Sequence, residues 1–302
     1  MINKLTYPCI QRFREHVQLK DLLPHTQRAY LRPVWQLANH CRQDPAELSE
    51  DQVRRFFLHL RQDRALGCPS LTRARTALRW LYTECLQVGG SWKVFGEVRI
   101  KRSHKLPLVL NRQEVAQLLG AVRAPRFRVC LRLIYHCGLR VGEAVRLEVD
   151  DLQNTRTEAP YLRVRQGKGR KDRVVPLSPA MVSELRQWWQ THRDPRWLFP
   201  SPGRGRTQGT GVPAERAMEK SSVQMAFRLA CRQCRAARGV CVHTLRHCYA
   251  THLLEEGVGL RLIGQYLGHS SLDSTVIYTH LTAVSEAKAR SALATLHQSL
   301  GR

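Results

Sequence analysis

Six residues of this 302-residue chain have side chains that would suit one reaction if the fold brought them together: Arg140, Lys168, His243, Arg246, His269 and Tyr278. Arg140 follows Gly138 at a predicted helix break, with Glu143 three residues on and in reach of its guanidinium. His243 and Arg246 are three apart on one predicted helix, hence on one face. Lys168 sits between two glycines at the tip of a predicted hairpin, His269 follows Gly268 at a helix end, and Tyr278 lies in a Tyr-Thr-His stretch. Singly, each has an ordinary reading: a surface ion pair, turn chemistry, a packed ring. Together they suit attack on a phosphodiester. The attacked phosphate gathers charge on its non-bridging oxygens, which two guanidinium forks can neutralise. A phenol, with a pKa of about 10, becomes a nucleophile only with a positive field or a base beside it. The departing sugar oxygen leaves poorly unless an acid such as a Lys ammonium protonates it.

Equipment for other chemistries is missing. Two-metal hydrolysis needs clustered carboxylates; the tempting pair, Asp150-Asp151, reads as a turn before the hairpin. Gly167-Lys168-Gly169 lacks the Ser/Thr and the following helix of a nucleotide-binding loop. His243 and His247 stand at i, i+4, but Thr244 occupies the place of a zinc protease's glutamate. Cys231, Cys234, Cys241 and His243 form the one ligand-like cluster, yet the first two fall within a predicted helix rather than on a zinc knuckle. No metal and no cofactor are expected, and the ten cysteines read as thiols in a reducing cytoplasm.

Charge narrows the partner. Lys plus Arg number 49 against 24 Asp plus Glu, a formal +25. Residues 1–106 hold 19 basic and 9 acidic side chains, a net +10, leaving +15 for the rest. Both halves are cationic, which points to a polyanion touching both, most simply double-stranded DNA. Arg outnumbers Lys 40 to 9, which suits forked phosphate contacts. No apolar run nears the roughly 18 residues needed to cross a bilayer, so neither membrane insertion nor secretion is expected.

The elements that would position these residues are mainly helical. Thr26 is expected to cap a helix to about Cys41, Ser49 with Gln52 forms a capping box, and Ser70 starts a helix through Leu86 that ends at Gly89-Gly90. Arg54, Arg55, Arg73, Arg75 and Arg79 are expected to point outward from this bundle as DNA contacts. Asn111 and Glu114 form a second box, and a helix over 126–137 stops at Gly138. Residues 161–166 and 172–177 are β-type runs around the Gly-Lys-Gly turn, where Arg170 and Lys171 are further DNA candidates. Helices follow at 179–192, 221–238, 243–256, 260–268, 271–280 and 285–299. The fold class is thus mainly α with a small antiparallel β-hairpin (α+β): a helical bundle over 1–95, a linker at 96–106 and a second domain over 107–302.

The ordered set Gly-Leu-Arg140-Val-Gly-Glu143, Gly-Lys168-Gly, His243-Thr-Leu-Arg246-His, Leu-Gly-His269 and Ile-Tyr278-Thr-His resembles the tyrosine recombinases, or phage integrases. The resemblance spans residues 107–290 and extends more weakly to the N-terminal third, where Thr26-Gln-Arg-Ala-Tyr30 looks like the start of a SAM-like core-binding domain. It implies a catalytic C-terminal domain, with Tyr278 forming a 3′-phosphotyrosyl link and Arg140 and Arg246 clamping the phosphate. Lys168 would be the acid, His243 an acid or base, His269 a phosphate ligand, and Glu143 the support of Arg140. It further implies a homotetramer on paired sites, with room for an accessory protein or a partner recombinase, and two domains clamping the duplex. A chain starting this close to the core-binding domain, without space for an arm-site domain, looks like a simple recombinase of the Xer or transposon type. A last helix with a stripe of Ala289, Leu293 and Leu296 would dock on a neighbouring subunit or pack in cis. Two other readings stay open: a type IB topoisomerase-like enzyme, and a DNA-binding accessory protein whose catalytic residues are idle.

Overall fold

The computed structural model describes residues 7–88, 90–100, 107–165, 172–201, 214–269 and 273–276. The chain divides into two compact units, Met1–Lys105 and Leu106–Arg302.

The first unit is all helical: α1 (Pro8–Leu19), α2 (Pro24–Cys41), α3 (Glu50–Gln62), α4 (Cys68–Arg79), which runs on as a π-helical turn over Trp80–Cys85, and the short α5 (Val94–Glu97). Prolines in the first turn start α1, α2 and α4, because a missing N–H costs nothing there. The helices expected to begin at Thr26 and Ser70 therefore begin earlier, at Pro24 and Cys68, without a side-chain cap. Ser49 and Gln52 do form a reciprocal capping box. Ile10, Phe13, Val34, Leu37, Val53, Phe56, Leu78, Leu81 and Tyr82 form a core with nearly no solvent access, and the Tyr82 hydroxyl donates to Pro45 O at 2.7 Å. Residues 96–100, assigned to the linker on composition, are held against this bundle. Arg54 Nε pairs with Glu97 at 3.1 Å, and Arg75 and Arg61 donate to the carbonyls of Val98 and Arg99.

Those contacts change the picture of the outward arginines. Arg54 also pairs with Asp51 at 2.7 Å, so it and Arg75 are half-buried braces of their own domain. Helical periodicity places a residue on a face but not the distant segment that covers it. Arg55, Arg73 and Arg79 are exposed as expected.

In the second unit, α6 (Arg112–Gly120) opens on the Asn111/Glu114 capping box, and α7 (Pro125–Cys137) stops at Gly138, whose φ of 60° is left-handed. The four-residue α8 (Val141–Ala144) leads to a three-stranded antiparallel sheet: β1 (Leu152–Gln153), β2 (Tyr161–Val164) and β3 (Arg173–Pro176). The expected hairpin is present, with one strand more. In register, Leu162 faces Val175 and Val164 faces Arg173, so these four share one face. Leu162, Val164 and Val175 bury it in the core. Asp151, read as a turn, is buried and accepts from Arg165 Nε at 2.5 Å, which makes it a brace of the sheet. Then come α9 (Pro179–Gln190), α10 (Lys220–Gln233), α11 (Val242–Glu255), α12 (Leu260–Leu267) and α13 (Asp273–Val276). Leu131, Ile134, Leu162, Val175, Phe199, Phe227 and Leu245 anchor its core. The expected helix over 285–299 and its apolar stripe lie outside the described residues.

Among the described residues no disulfide forms, and Cys9, Cys85, Cys130, Cys137 and Cys248 are buried as small apolar groups. No group of three or more His, Cys, Asp or Glu among the described residues is placed to hold a metal ion. None of the described helices is long and apolar enough to cross a membrane.

Candidate active site

Three helix ends meet around one buried arginine. Arg246, on the second turn of α11, has 1% of its surface exposed. Its Nη1 donates to Gly138 O at 2.6 Å, at the end of α7, and its Nη2 to Leu267 O at 2.5 Å, the last residue of α12. Carbonyls at helix C-termini lack intrahelical partners and carry the negative end of the helix dipole. A guanidinium there is satisfied by the backbone itself, and the two carbonyls fix its plane.

The approach is close because Gly138 leaves room. A Cβ at Gly138 would lie 2.7 Å from Tyr249 Cε1 and 2.8 Å from Leu267 Cδ2. Gly138→Ala adds that overlap to a positive φ, and the cost is about 2–4 kcal/mol. The thermal midpoint of the second unit is expected to drop by roughly 5–15 °C, measured by a melt of the full chain.

Arg140 stands at the N-cap of α8, and Glu143 in the first turn holds it twice. Glu143 Oε2 accepts the Arg140 backbone N–H at 2.8 Å, and Oε1 accepts Arg140 Nη1 at 2.8 Å. Glu143 is 8% exposed. Burial pushes its carboxyl up, but the hydrogen bonds and charge of Arg173, then those of Arg140, outweigh that and hold it at about 2. Arg173 is a site residue that the sequence reading missed.

The imidazoles complete the cluster. His243 lies one turn before Arg246, its ring 4.7 Å from that of His247 and edge-on. Burial, Arg246 and Arg140 lower its pKa. His269 follows α12, and its Nδ1 lies 2.9 Å from Thr275 Oγ1. Burial, then Arg246, Arg140 and Arg173, lower its pKa to about 4; burial, then His243 and Arg246, do the same for His247. All three rings are neutral at pH 7 in a field set by three arginines, with Glu143 as the counter-charge.

The sign of the pH dependence follows. In the unfolded chain His247 and His269 titrate near 6.5; folded, near 4. Their stabilising contribution is complete above pH 6.5 and is lost as the pH falls towards 4, because the unfolded chain then binds more protons. The melting temperature is expected to fall between pH 7 and pH 4.5, and His247→Gln to flatten that slope. A melting temperature constant over that interval would contradict the neutral-ring cluster.

Of the six residues singled out in the sequence, four meet here: Arg140, His243, Arg246 and His269, with Glu143 beneath Arg140. Lys168 and Tyr278, with Arg170 and Lys171, lie outside the described residues. His247 and Arg173 are additions. A signal for Arg173 was available: with Leu162, Val164 and Val175 pointing inward, strict alternation puts position 173 on the core face, where a charge requires a partner.

Comparison with known proteins identifies the family. Residues 109–284 match the phage integrase family, and residues 9–89 match the phage integrase N-terminal SAM-like domain. A putative integrase/recombinase of Sinorhizobium fredii is 34% identical over 275 residues, covering 91% of this chain and 84% of the relative. The tyrosine recombinase XerA of Thermococcus kodakarensis is 32% identical over 289 residues, 93% of each chain. A lambda integrase dimer bound to a COC′ core site has a similar fold, with TM-score 0.71 at 16% identity over 89% of this chain and 93% of that one. The XerH recombinase bound to palindromic difH substrate superposes with TM-score 0.65 at 20% identity over 93% and 84%. With a family match over more than half its length and a relative at 34% identity across 91% of the chain, the chain belongs to the phage integrase family, the tyrosine recombinases that break and rejoin DNA in site-specific recombination.

Proposed function

We propose that Tyr278 attacks the scissile phosphate of a double-stranded recombination site, forming a 3′-phosphotyrosyl link and releasing a 5′-hydroxyl. The phosphorus–oxygen bond to the 5′ sugar breaks as the bond to the phenol oxygen forms. The phenol proton passes to neutral His243, and Lys168 supplies the proton taken by the leaving oxygen. Arg140 and Arg246 bind the non-bridging oxygens, His269 hydrogen-bonds to one of them, and Glu143 keeps Arg140 aimed. The phosphodiester energy stays in the protein–DNA bond, so rejoining needs no nucleotide. Guanidinium charge does what a metal ion would do elsewhere, and no cofactor enters.

The observation that supports this reading most is the convergence of Arg140, Arg246, His243 and His269 around two helix C-termini, with every imidazole unprotonated. Arg55, Arg73 and Arg79 on the first unit, and Arg170 and Lys171 beside Lys168, would bind the DNA backbone. Strand exchange would use four copies on two sites, in the cytoplasm, with an accessory protein or partner recombinase where the site demands one.

The test is a pool of nicked duplexes drawn from randomised and flanking genomic sequence, in which the cleaved strand diffuses away and the adduct is trapped. Peptide mapping is expected to find DNA on Tyr278; DNA on another residue, or no adduct from any duplex, would overturn the reading. Two-site substrates then separate recombination from simple relaxation of one duplex.

A further inference from the structure

A buried arginine that the cleavage reaction does not touch ties three parts of the site together. Arg173, at the start of β3, has a side chain 8% exposed. Its Nη2 donates to Glu143 Oε2 at 2.7 Å and its Nη1 to Oε1 at 3.1 Å, a two-point contact with the carboxylate that also holds Arg140. Its Nε donates to Tyr266 O at 2.7 Å, in the last turn of α12. The next turn passes directly over it: a Cβ at Gly268 would lie 3.0 Å from Arg173 Cδ, and His269 follows. Along the chain, residues 166–171 with Lys168 join β2 to the strand that begins at Arg173. One guanidinium thus contacts the support of Arg140 and the segment leading to His269, and is itself the first residue of the strand after Lys168.

We propose that Arg173 is a positioning residue for strand cleavage, holding Glu143 and the end of α12 in register so that Arg140 and His269 address the same phosphate. The proposal rests on the phosphate-binding roles given to those two residues above. A carboxylate with two oxygens and four donors has one arrangement that satisfies all of them: the Arg140 backbone N–H and Nη1, and both Nη groups of Arg173. Without Arg173, Glu143 keeps only its contacts to Arg140, and a misplacement of the order of 1 Å at a reacting centre costs about 10²-fold in rate. The buried carboxyl, held at about 2 largely by Arg173, would also rise towards the range in which it takes up a proton and ceases to accept from Arg140.

The experiment uses the full chain and the trapped nicked duplex selected above, with single-turnover cleavage, duplex affinity and thermal melting read side by side. Arg173→Met is expected to slow adduct formation about 10²-fold, with duplex affinity within about threefold, and to make the rate fall more steeply than the parent's as the pH drops below 7. Arg173→Lys keeps the charge but not the fork, and is expected to lose about tenfold. Glu143→Gln with Arg173→Met, which removes both buried charges, is expected to be no slower than the slower single variant, because both act through one contact. Cleavage within twofold of the parent in folded Arg173→Lys or Arg173→Met overturns the proposal. So does a loss that is uniform across pH and additive with Glu143→Gln, which marks a general packing role. Should Arg173→Met not fold, Arg173→Lys and the double variant distinguish the same outcomes. A parent chain that forms no adduct fails at the earlier step, the proposed cleavage itself, and takes this inference with it.

Discussion

Tyr278→Phe is expected to abolish the covalent DNA adduct, a loss of at least about 10⁴-fold, while duplex affinity changes by no more than about tenfold, the worth of one hydroxyl hydrogen bond. The asymmetry comes from what the hydroxyl does. Phe keeps the ring and removes only the atom that would bond to phosphorus. Three of the described tyrosines of the second unit are poorly placed to substitute. Tyr249 is buried beneath Gly138, and burial raises its pKa far from any nucleophilic range. Tyr135 is also raised by burial and has its hydroxyl 2.7 Å from His252 Nδ1. Tyr266 packs its ring against the core. Adduct yield on the nicked duplex, with binding measured by fluorescence anisotropy, separates the two effects. An adduct surviving at even about 1% of the parent's rate would place the nucleophile elsewhere.

How much of this site could be read beforehand depended on the range of the physics involved. Features fixed within four residues were legible: the Ser49/Gln52 and Asn111/Glu114 boxes, the helix stop at Gly138, the Arg140–Glu143 pair and the His243–Arg246 face. The errors in helix starts were also local, since Pro24 and Pro69 supply a pre-set φ that competes with the side-chain caps expected of Thr26 and Ser70. β1, two residues long, has too few positions to show alternation. What could not be read was which residues meet across long separations. The carbonyls that orient Arg246 lie 108 and 21 residues away, and Tyr266, the backbone partner of Arg173, lies 93 residues on. Backbone carbonyls carry no residue identity, so no motif announces them. Arg54 and Arg75 illustrate the converse. Their helical face is as expected, but Glu97 and the carbonyl of Val98, from a segment expected to be linker, also engage both guanidinium groups.

Those two carbonyls make Arg246 the position where a conservative change should be most damaging. Arg246→Lys preserves the charge, and in water the pair would differ little. Here the guanidinium is nearly inaccessible and its two Nη groups diverge to the ends of α7 and α12, at 2.6 and 2.5 Å. A Lys ammonium is a single centre on a flexible stem and cannot span both acceptors while also addressing a phosphate. One of the carbonyls of Gly138 and Leu267 would lose its partner in a buried setting, and the phosphate would lose one arm of its preorganised fork. Removing one such donor from a site that binds developing charge costs about 10²–10³-fold, or roughly 3–4 kcal/mol in the cleavage barrier. The expectation is therefore cleavage reduced by that factor, with duplex affinity changing far less, because the many phosphate contacts of a protein with net charge +25 do not depend on one buried arginine. Single-turnover cleavage at saturating protein reads the first quantity, and the salt dependence of binding reads the second. Cleavage within tenfold of the parent would show that a positive charge at this place suffices, and that the plane set by the two helix ends contributes nothing to the reaction.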